Sequence, residues 1–327
     1  MPNVRAPRFG SMQVWPRKRA VRQYPRVRAW APSTEKKALG FAGYKVGMTH
    51  ILHVNGSKTS RTKGEEIFSA VTVVECPPLK VAAVRFYEPK GYGYIVKSQI
   101  NAKNVDKELE RKLTKAKKSN EEKLSTLTND FSHAMLVVYT QPKLINLKKK
   151  PEVFEVAIGG SKDDQLAYAK EKLGKEITIR EVFNPGNQVD IHSVTRGHGI
   201  QGPVRRFGIG IRRHKSEKAI RNPGSLGGWQ GQAHVMYRVS HAGQTGYHTR
   251  TEYNKQIFKI GDDAKEINVA GGYLHYGNVK NTYLLFKGSI GGSSKRLIRM
   301  NAPTRVNTKK MGKDAPQITY VSLKSKQ

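Results

Sequence analysis

The chain has 327 residues, 37% of them hydrophobic, with 59 Lys and Arg against 25 Asp and Glu, a formal net charge of +34. That length supports one large domain or two ordinary ones with a buried core, but so much like charge repels itself unless a polyanion neutralises it. No run of about 18 apolar residues is present, which excludes a spanning helix, and MPNVRAPRFGSMQVWPRKR has no apolar middle of a secretion signal. Cys76 is the single cysteine, so an internal disulfide framework and a cysteine-based zinc finger are excluded. The expectation is a cytoplasmic protein whose partner is nucleic acid, with no membrane, small-molecule substrate, cofactor or metal.

Residues 1–40 read as a basic N-terminal extension. They hold ten cations (Arg5, Arg8, Arg17, Lys18, Arg19, Arg22, Arg26, Arg28, Lys36, Lys37) and one acid, Glu35. Pro2, Pro7, Pro16, Pro25 and Pro32 interrupt helices, while Phe9, Trp15, Tyr24 and Trp30 are spaced through the charge. Such an arm buries too little by itself to offset its ordering entropy. Against RNA it can order, because arginines pair with phosphates and flat side chains stack on exposed bases. The competing reading is a tail with no partner.

Residues 41–100 read as the first part of a β-barrel: LGFAGYKVGMTHILHV and EIFSAVTVVECPPLKVAAVRFYE alternate, with Pro77 and Pro78 breaking a strand pair. Residues 101–182 differ. They carry 17 Lys and Arg and 13 Asp and Glu, a net of +4. VDKELERKLTKAKK and DDQLAYAKEKLGKEITIREVF have the mixed-sign pattern of solvated helix faces, and HAMLVVYTQP reads as a buried strand. This block is expected to be an inserted α/β subdomain.

QVDIHSVTRGHGI marks a barrel strand within residues 183–201. Residues 202–232 then form a basic finger, with Arg205, Arg206, Arg212, Arg213, Lys215, Lys218 and Arg221 against Glu217 alone, many glycines, and Trp229 near its end. Its apolar residues follow neither the helical nor the strand period. The remainder of the barrel is expected over 233–305, in AHVMYRV, INVAGGYLHY and NTYLLFKGS, and a basic C-terminal tail over 306–327. The fold class read from this order is mainly β, a barrel with an inserted α/β subdomain and long RNA-binding extensions.

Enzyme signatures are missing. GSIGGSSKR (288–296) lacks the spacing of a phosphate-binding loop and reads as an RNA-facing loop. There is no HExxH, no paired cysteine set and no GxSxG elbow. His192, His198, His234, His241 and His248 are expected to pack or to meet phosphate rather than to bind metal.

Three stretches carry a specific resemblance: GFAGYKVGMTH (40–50), VDIHSVTRGHGIQGPVRRFGI (189–209) and AHVMYRVSHAGQTGYHTRTEYNKQIFKIG (233–261). With the basic N-terminus and RHKS (213–216), the chain over about residues 1–305 resembles the uL-three family of universal large-subunit ribosomal proteins, in its archaeal and eukaryotic form. The resemblance implies a barrel of the type shared with translation factors, binding to large-subunit ribosomal RNA, a role early in assembly, and contacts with neighbouring ribosomal proteins. It also implies a central finger ending at a tryptophan close to the peptidyl transferase centre, matched here by Trp229 in GGWQ. A finger histidine methylated in some eukaryotic members matches His214.

The expected RNA-binding set is therefore Arg5, Arg8, Trp15, Arg17, Lys18, Arg19, Arg22, Arg26, Arg28 and Trp30 in the extension, and Arg196 and His198 before the finger. Arg205, Arg206, Arg212, Arg213, His214, Lys215, Arg221 and Trp229 follow within it, then His248, Arg250, Lys295, Arg296 and Arg299. The alternative function is an RNA-modifying or translation-factor-like enzyme on a similar barrel; a nucleotide loop or an acid–base cluster would favour it.

Overall fold

The alternating residues of 40–101 form four consecutive strands, β1 (Gly40–Val54), β2 (Glu66–Glu75), β3 (Leu79–Lys90) and β4 (Gly93–Asn101). The structure, a computed structural model, describes residues 10–57, 59–114, 120, 131–228, 234–307 and 315–324. Then come β5 (His133–Tyr139), β6 (Val153–Ala157), helix α1 (Lys162–Lys172), β7 (Glu176–Ile177), the single turn α2 (Ile179–Val182) and β8 (Gln188–Val194). β9 (Gly197–Gln201), α3 (Pro203–Phe207), β10 (Gly243–Gly246), β11 (Thr249–Gly261), β12 (Tyr283–Lys287), β13 (Leu297–Asn301) and β14 (Ile318–Val321) complete a mainly β chain. Two compact units divide it: a smaller one of Met1–Gln23 with Val194–Arg250, and a larger one of Tyr24–Ser193 with Thr251–Gln327.

The larger unit holds two sheets. One has the order β13-β8-β11-β12-β2-β1-β14, and β13 also pairs with β1, so six of its strands form a closed cycle of pairings with β14 attached outside it. The other has the order β4-β3-β5-β6, with β7 pairing β3. Val46, Ile51, Val71, Val73, Phe258, Tyr283 and Leu285 form one apolar cluster of the first sheet. A larger cluster runs from Phe41, Tyr44 and Val74 through Val81, Phe86, Leu136 and Ile177. Each fully buried side chain of this size stabilises the fold by about 1.5–3 kcal/mol.

Two buried carboxylates tie the turns between these strands. Glu75, fully buried, accepts from the backbone N–H groups of Lys280 (2.9 Å) and Asn281 (2.8 Å), from Asn281 Nδ2 (2.7 Å) and from the Tyr276 hydroxyl (2.5 Å). Asp190 accepts from Asn254 N (2.9 Å), Thr304 N (2.8 Å) and Thr304 Oγ1 (2.9 Å). A buried carboxylate with three or four donors needs no cation to be satisfied.

Five expectations are corrected. β3 and β4, assigned from the sequence to the barrel block 41–100, pair with each other and, through β3, with β5 rather than with β1 or β2, so Pro77 and Pro78 mark a change of sheet. In VDKELERKLTKAKK the described residues form only a 3₁₀ turn, Lys107–Arg111. The described part of AHVMYRV and all of INVAGGYLHY are turns and loop, with one isolated bridge at Tyr273 and a 3₁₀ turn (Ala264–Glu266) ending just before the second; among the described residues their alternation finds no neighbouring strand. In the tail 306–327, Ile318–Val321 is a strand on β1. Finally, the extension does not stay extended to residue 40: Tyr24, Val27, Ala38 and Leu39 are buried, and the Tyr24 hydroxyl donates to the Val153 carbonyl.

Candidate nucleic-acid interface

The smaller unit concentrates the charge: its 80 residues contain 16 Lys and Arg and one acid, Glu217, a net of +15. With so few acids it cannot be held by ion pairs, and its geometry shows what replaces them. β9 and β10 form a short antiparallel ladder, Gly243 opposite Gln201 and Gly246 opposite Gly197. Gly246 has φ +71°, and a Cβ there would lie 2.0 Å from the Arg196 carbonyl oxygen, so only glycine closes this turn. Between the two strands α3 starts with Pro203 in its first turn and stops at Gly208, whose φ of 70° is left-handed.

Phe207, at the end of α3, is the anchor. The Trp15 ring lies 6.2 Å from it at an interplanar angle of 59°. The guanidinium carbons of Arg17 and Arg206 lie 4.6 Å and 5.1 Å from its ring centre. Cation–π contact lets two arginines cover an apolar ring where a conventional core would place aliphatic residues. Arg206 also donates from Nε to the Gln244 carbonyl (3.1 Å) and from Nη1 to the His241 carbonyl (2.9 Å), and burial holds its guanidinium below the usual arginine range. Arg17 donates to the carbonyls of Arg206 (3.4 Å) and Ser11 (3.3 Å), and Arg19 to Gln244 Oε1 (3.1 Å). Ala20 N donates to the Tyr247 carbonyl (2.8 Å), and buried His248 donates from Nδ1 to the Lys18 carbonyl (2.9 Å).

Residues 202–232 return on themselves where Arg212 N donates to the Ile220 carbonyl (3.1 Å), and Met236 N, beyond them, donates to the Leu226 carbonyl (3.1 Å). Arg212 also donates to the Pro223 carbonyl (3.4 Å). The cations thus divide into two kinds. Arg17, Arg19, Arg206 and Arg212 bind the unit's own carbonyl and amide oxygens. Lys18, Arg22, Arg196, His198, Arg205, Arg213, His214, Lys215 and Arg221 are exposed. An outer set of cations on a frame that the inner set fixes has little left to order when it meets an array of phosphates.

Six of the other expected residues lie in the larger unit. Arg26 and Arg28 are exposed, Trp30 is half-buried beside Gly40, and Lys295 and Arg296 sit in the loop between β12 and β13. Arg250, within the smaller unit, is half-buried and donates to the Thr249 carbonyl. Arg299 is a correction. It is 3% exposed, donates to the carbonyls of Pro25 (3.3 Å) and Glu155 (2.6 Å), and lies 4.3 Å from the Phe154 ring centre. Burial lowers its pKa to about 10. It is a core residue that no polyanion reaches. Arg5, Arg8 and Trp229 lie outside the described residues.

Sequence reasoning missed Phe207 as the anchor, although PVRRF carries the signal: a proline-started turn ending in an aromatic between two arginines and a glycine. It also left Lys218 and Arg238, both exposed in the same unit, out of the expected set. Among the described residues no three His, Cys, Asp or Glu converge on a metal site, and no helix is long and apolar enough to cross a membrane.

Comparison with known proteins meets this geometry from a separate direction. The chain is 45% identical over 327 residues to the "Large ribosomal subunit protein uL3" of Archaeoglobus fulgidus, covering 98% of each chain. Proteins of the same name from Methanobrevibacter smithii and Methanocaldococcus jannaschii are 43% and 42% identical, over at least 98% of each chain. The family described as Ribosomal protein L3 matches residues 1–327. The chain belongs to the ribosomal protein L3 family, a family of structural ribosomal proteins rather than enzymes.

Proposed function

We propose that the chain is a constituent of the large ribosomal subunit that binds its ribosomal RNA, supports early assembly and sends the finger 202–232 towards the peptidyl transferase centre. The observation that carries the reading is the smaller unit, with 16 cations and one acid in 80 residues. Counterion release makes such a surface a polyanion binder, and the exposed Lys18, Arg22, Arg205, Arg213, Lys215 and Arg221 are the contacts proposed for it. The names of the relatives say which polyanion-rich particle they belong to. The closed cycle of six strands supports the translation-factor-like barrel, and the sheet β4-β3-β5-β6 with α1 supports the inserted α/β subdomain, running from about residue 77 to 182.

Trp229 is the proposed contact nearest the catalytic centre, on its match to the family motif. Ultraviolet cross-linking of assembled subunits, followed by peptide mapping, tests the reading. RNA-linked peptides are expected from residues 10–23 and 196–228. Subunits in which the linked peptides come mainly from residues 103–182 would sink it.

A further inference from the structure

The outer face of β2, β1 and β14 differs in kind from the rest of the surface. Leu52 on β1 is directly opposite Phe68 on β2 and Tyr320 on β14, so the three side chains lie in one cross-strand row. His50, two residues along the same face, meets the Phe68 ring with centroids 5.0 Å apart. Ile51 and His53 point the other way and are buried, 0% and 4% exposed, which fixes the row as outward. Phe68 is 63% exposed, Tyr320 44% and Met48 36%. Among the described residues β14 ends the strand order and pairs with β1 alone.

We propose that this row, Met48, His50, Leu52, Phe68 and Tyr320, is the docking surface for a different protein whose contact area is apolar and whose net charge is negative. The occupant follows from charge. A phosphate backbone needs cations, and the row contains no Lys or Arg in a chain of net charge +34. A second copy would bring another +34 to the contact, which repulsion opposes. The exposed charges flanking the row are of both signs: Arg61, Lys63 and Glu65 in the β1–β2 connection, Glu66 at the start of β2, and Lys324 beyond β14. A charged rim around an apolar centre is the usual anatomy of a protein interface. A large aromatic left this exposed at an open sheet edge is a liability that assembly removes.

The inference rests on the ribosomal reading, because the partner is expected within the same particle. In the full chain, Phe68 is replaced by the photo-cross-linker p-benzoylphenylalanine, Val21 in a second variant, and both are incorporated into large subunits and irradiated. Position 68 is expected to link to one protein of the subunit, and position 21 to RNA. A link from position 68 to RNA or to a second copy, or none at all, overturns the docking surface. Failure of either variant to sediment with subunits counts against the ribosomal reading instead. As a second measurement, Phe68→Asp, at an outward position the fold does not need, should lower the linked protein's occupancy at least threefold in salt-washed subunits. Its own occupancy should stay unchanged; an unaltered partner occupancy also overturns the proposal.

Discussion

Arg213 and Arg299 are the same residue type put to opposite uses. Arg213 stands in solvent in the finger, whereas Arg299 lies between two backbone carbonyls under Phe154. In the sequence, KRLIRM reads as one more basic segment, because burial of Leu297, Ile298, Arg299 and Met300 in succession depends on strands far away in the chain. Replacing Arg299 by Ala removes both donors and leaves a cavity, costing on the order of 3 kcal/mol of stability. Its effect on the salt dependence of RNA binding should be nil. A fall in that slope with stability unchanged would return Arg299 to the interface. Phe207→Ala makes a second prediction at this scale. The ring that Trp15, Arg17 and Arg206 cover is lost, so residues 10–20 of the free protein should be cut by protease many times faster, while residues 40–101 keep their protection.

At the scale of elements, strand existence was legible in the sequence and partnership was not. The apolar alternation of β1, β2, β3 and β12 is clear, but nothing in ECPPLK says that the chain leaves one sheet for another. That choice is made by residues such as Val138 and Val137, opposite Val81 and Ala83 on β3 from more than fifty residues away. The reverse failure is AHVMYRV, where alternation exists and no partner strand does. Where strands do meet, polar side chains fix the register. His192 on β8 reaches Asn301 Oδ1 on β13 (2.7 Å) and Thr251 Oγ1 on β11 (3.0 Å). A neutral ring satisfies both, donating from Nε2 to the Asn301 oxygen and accepting at Nδ1 from the Thr251 hydroxyl. Burial holds its pKa below the usual histidine value; nearby Arg299 acts the same way, and Asp190 opposes it. The unfolded chain therefore binds a proton near pH 6.5 that the folded ring resists. This contribution to stability is complete above that pH and is lost as pH falls below it. Denaturant midpoints of the free protein should decrease between pH 8 and pH 5.5, and His192→Gln should flatten part of that decrease. His53 and His133, also lowered by burial, act in the same direction.

The whole molecule is organised by charge more than by sequence length. The smaller unit holds +15 in 80 residues, and the other 247 residues hold 43 cations and 24 acids, +19 in all. If the outer cations of the smaller unit each meet a phosphate, every one removed lowers the logarithmic salt slope of RNA binding by about 0.7–0.9. Replacing Lys18, Arg22, Arg205, Arg213, Lys215 and Arg221 together by Gln should then reduce the slope by roughly 4–5. The fold should survive, since these side chains are exposed and the frame rests on Phe207, Arg17 and Arg206. An equal change in net charge elsewhere is the control: Lys107, Lys149, Lys150, Lys162, Lys170 and Lys175, all exposed within residues 101–182, replaced by Gln. If charge acted only as a total, the two sextuple variants would bind alike at every salt concentration. The division of the chain predicts otherwise, because contact with phosphate and not distant attraction sets the slope at physiological ionic strength, where the field of an unpaired surface charge decays over about 8 Å. Titrations of both variants against large-subunit RNA from 50 to 300 mM salt decide it. Equal loss of slope in the two would mean that residues 101–182 face RNA as fully as the smaller unit does, and that the one-acid unit is not the interface.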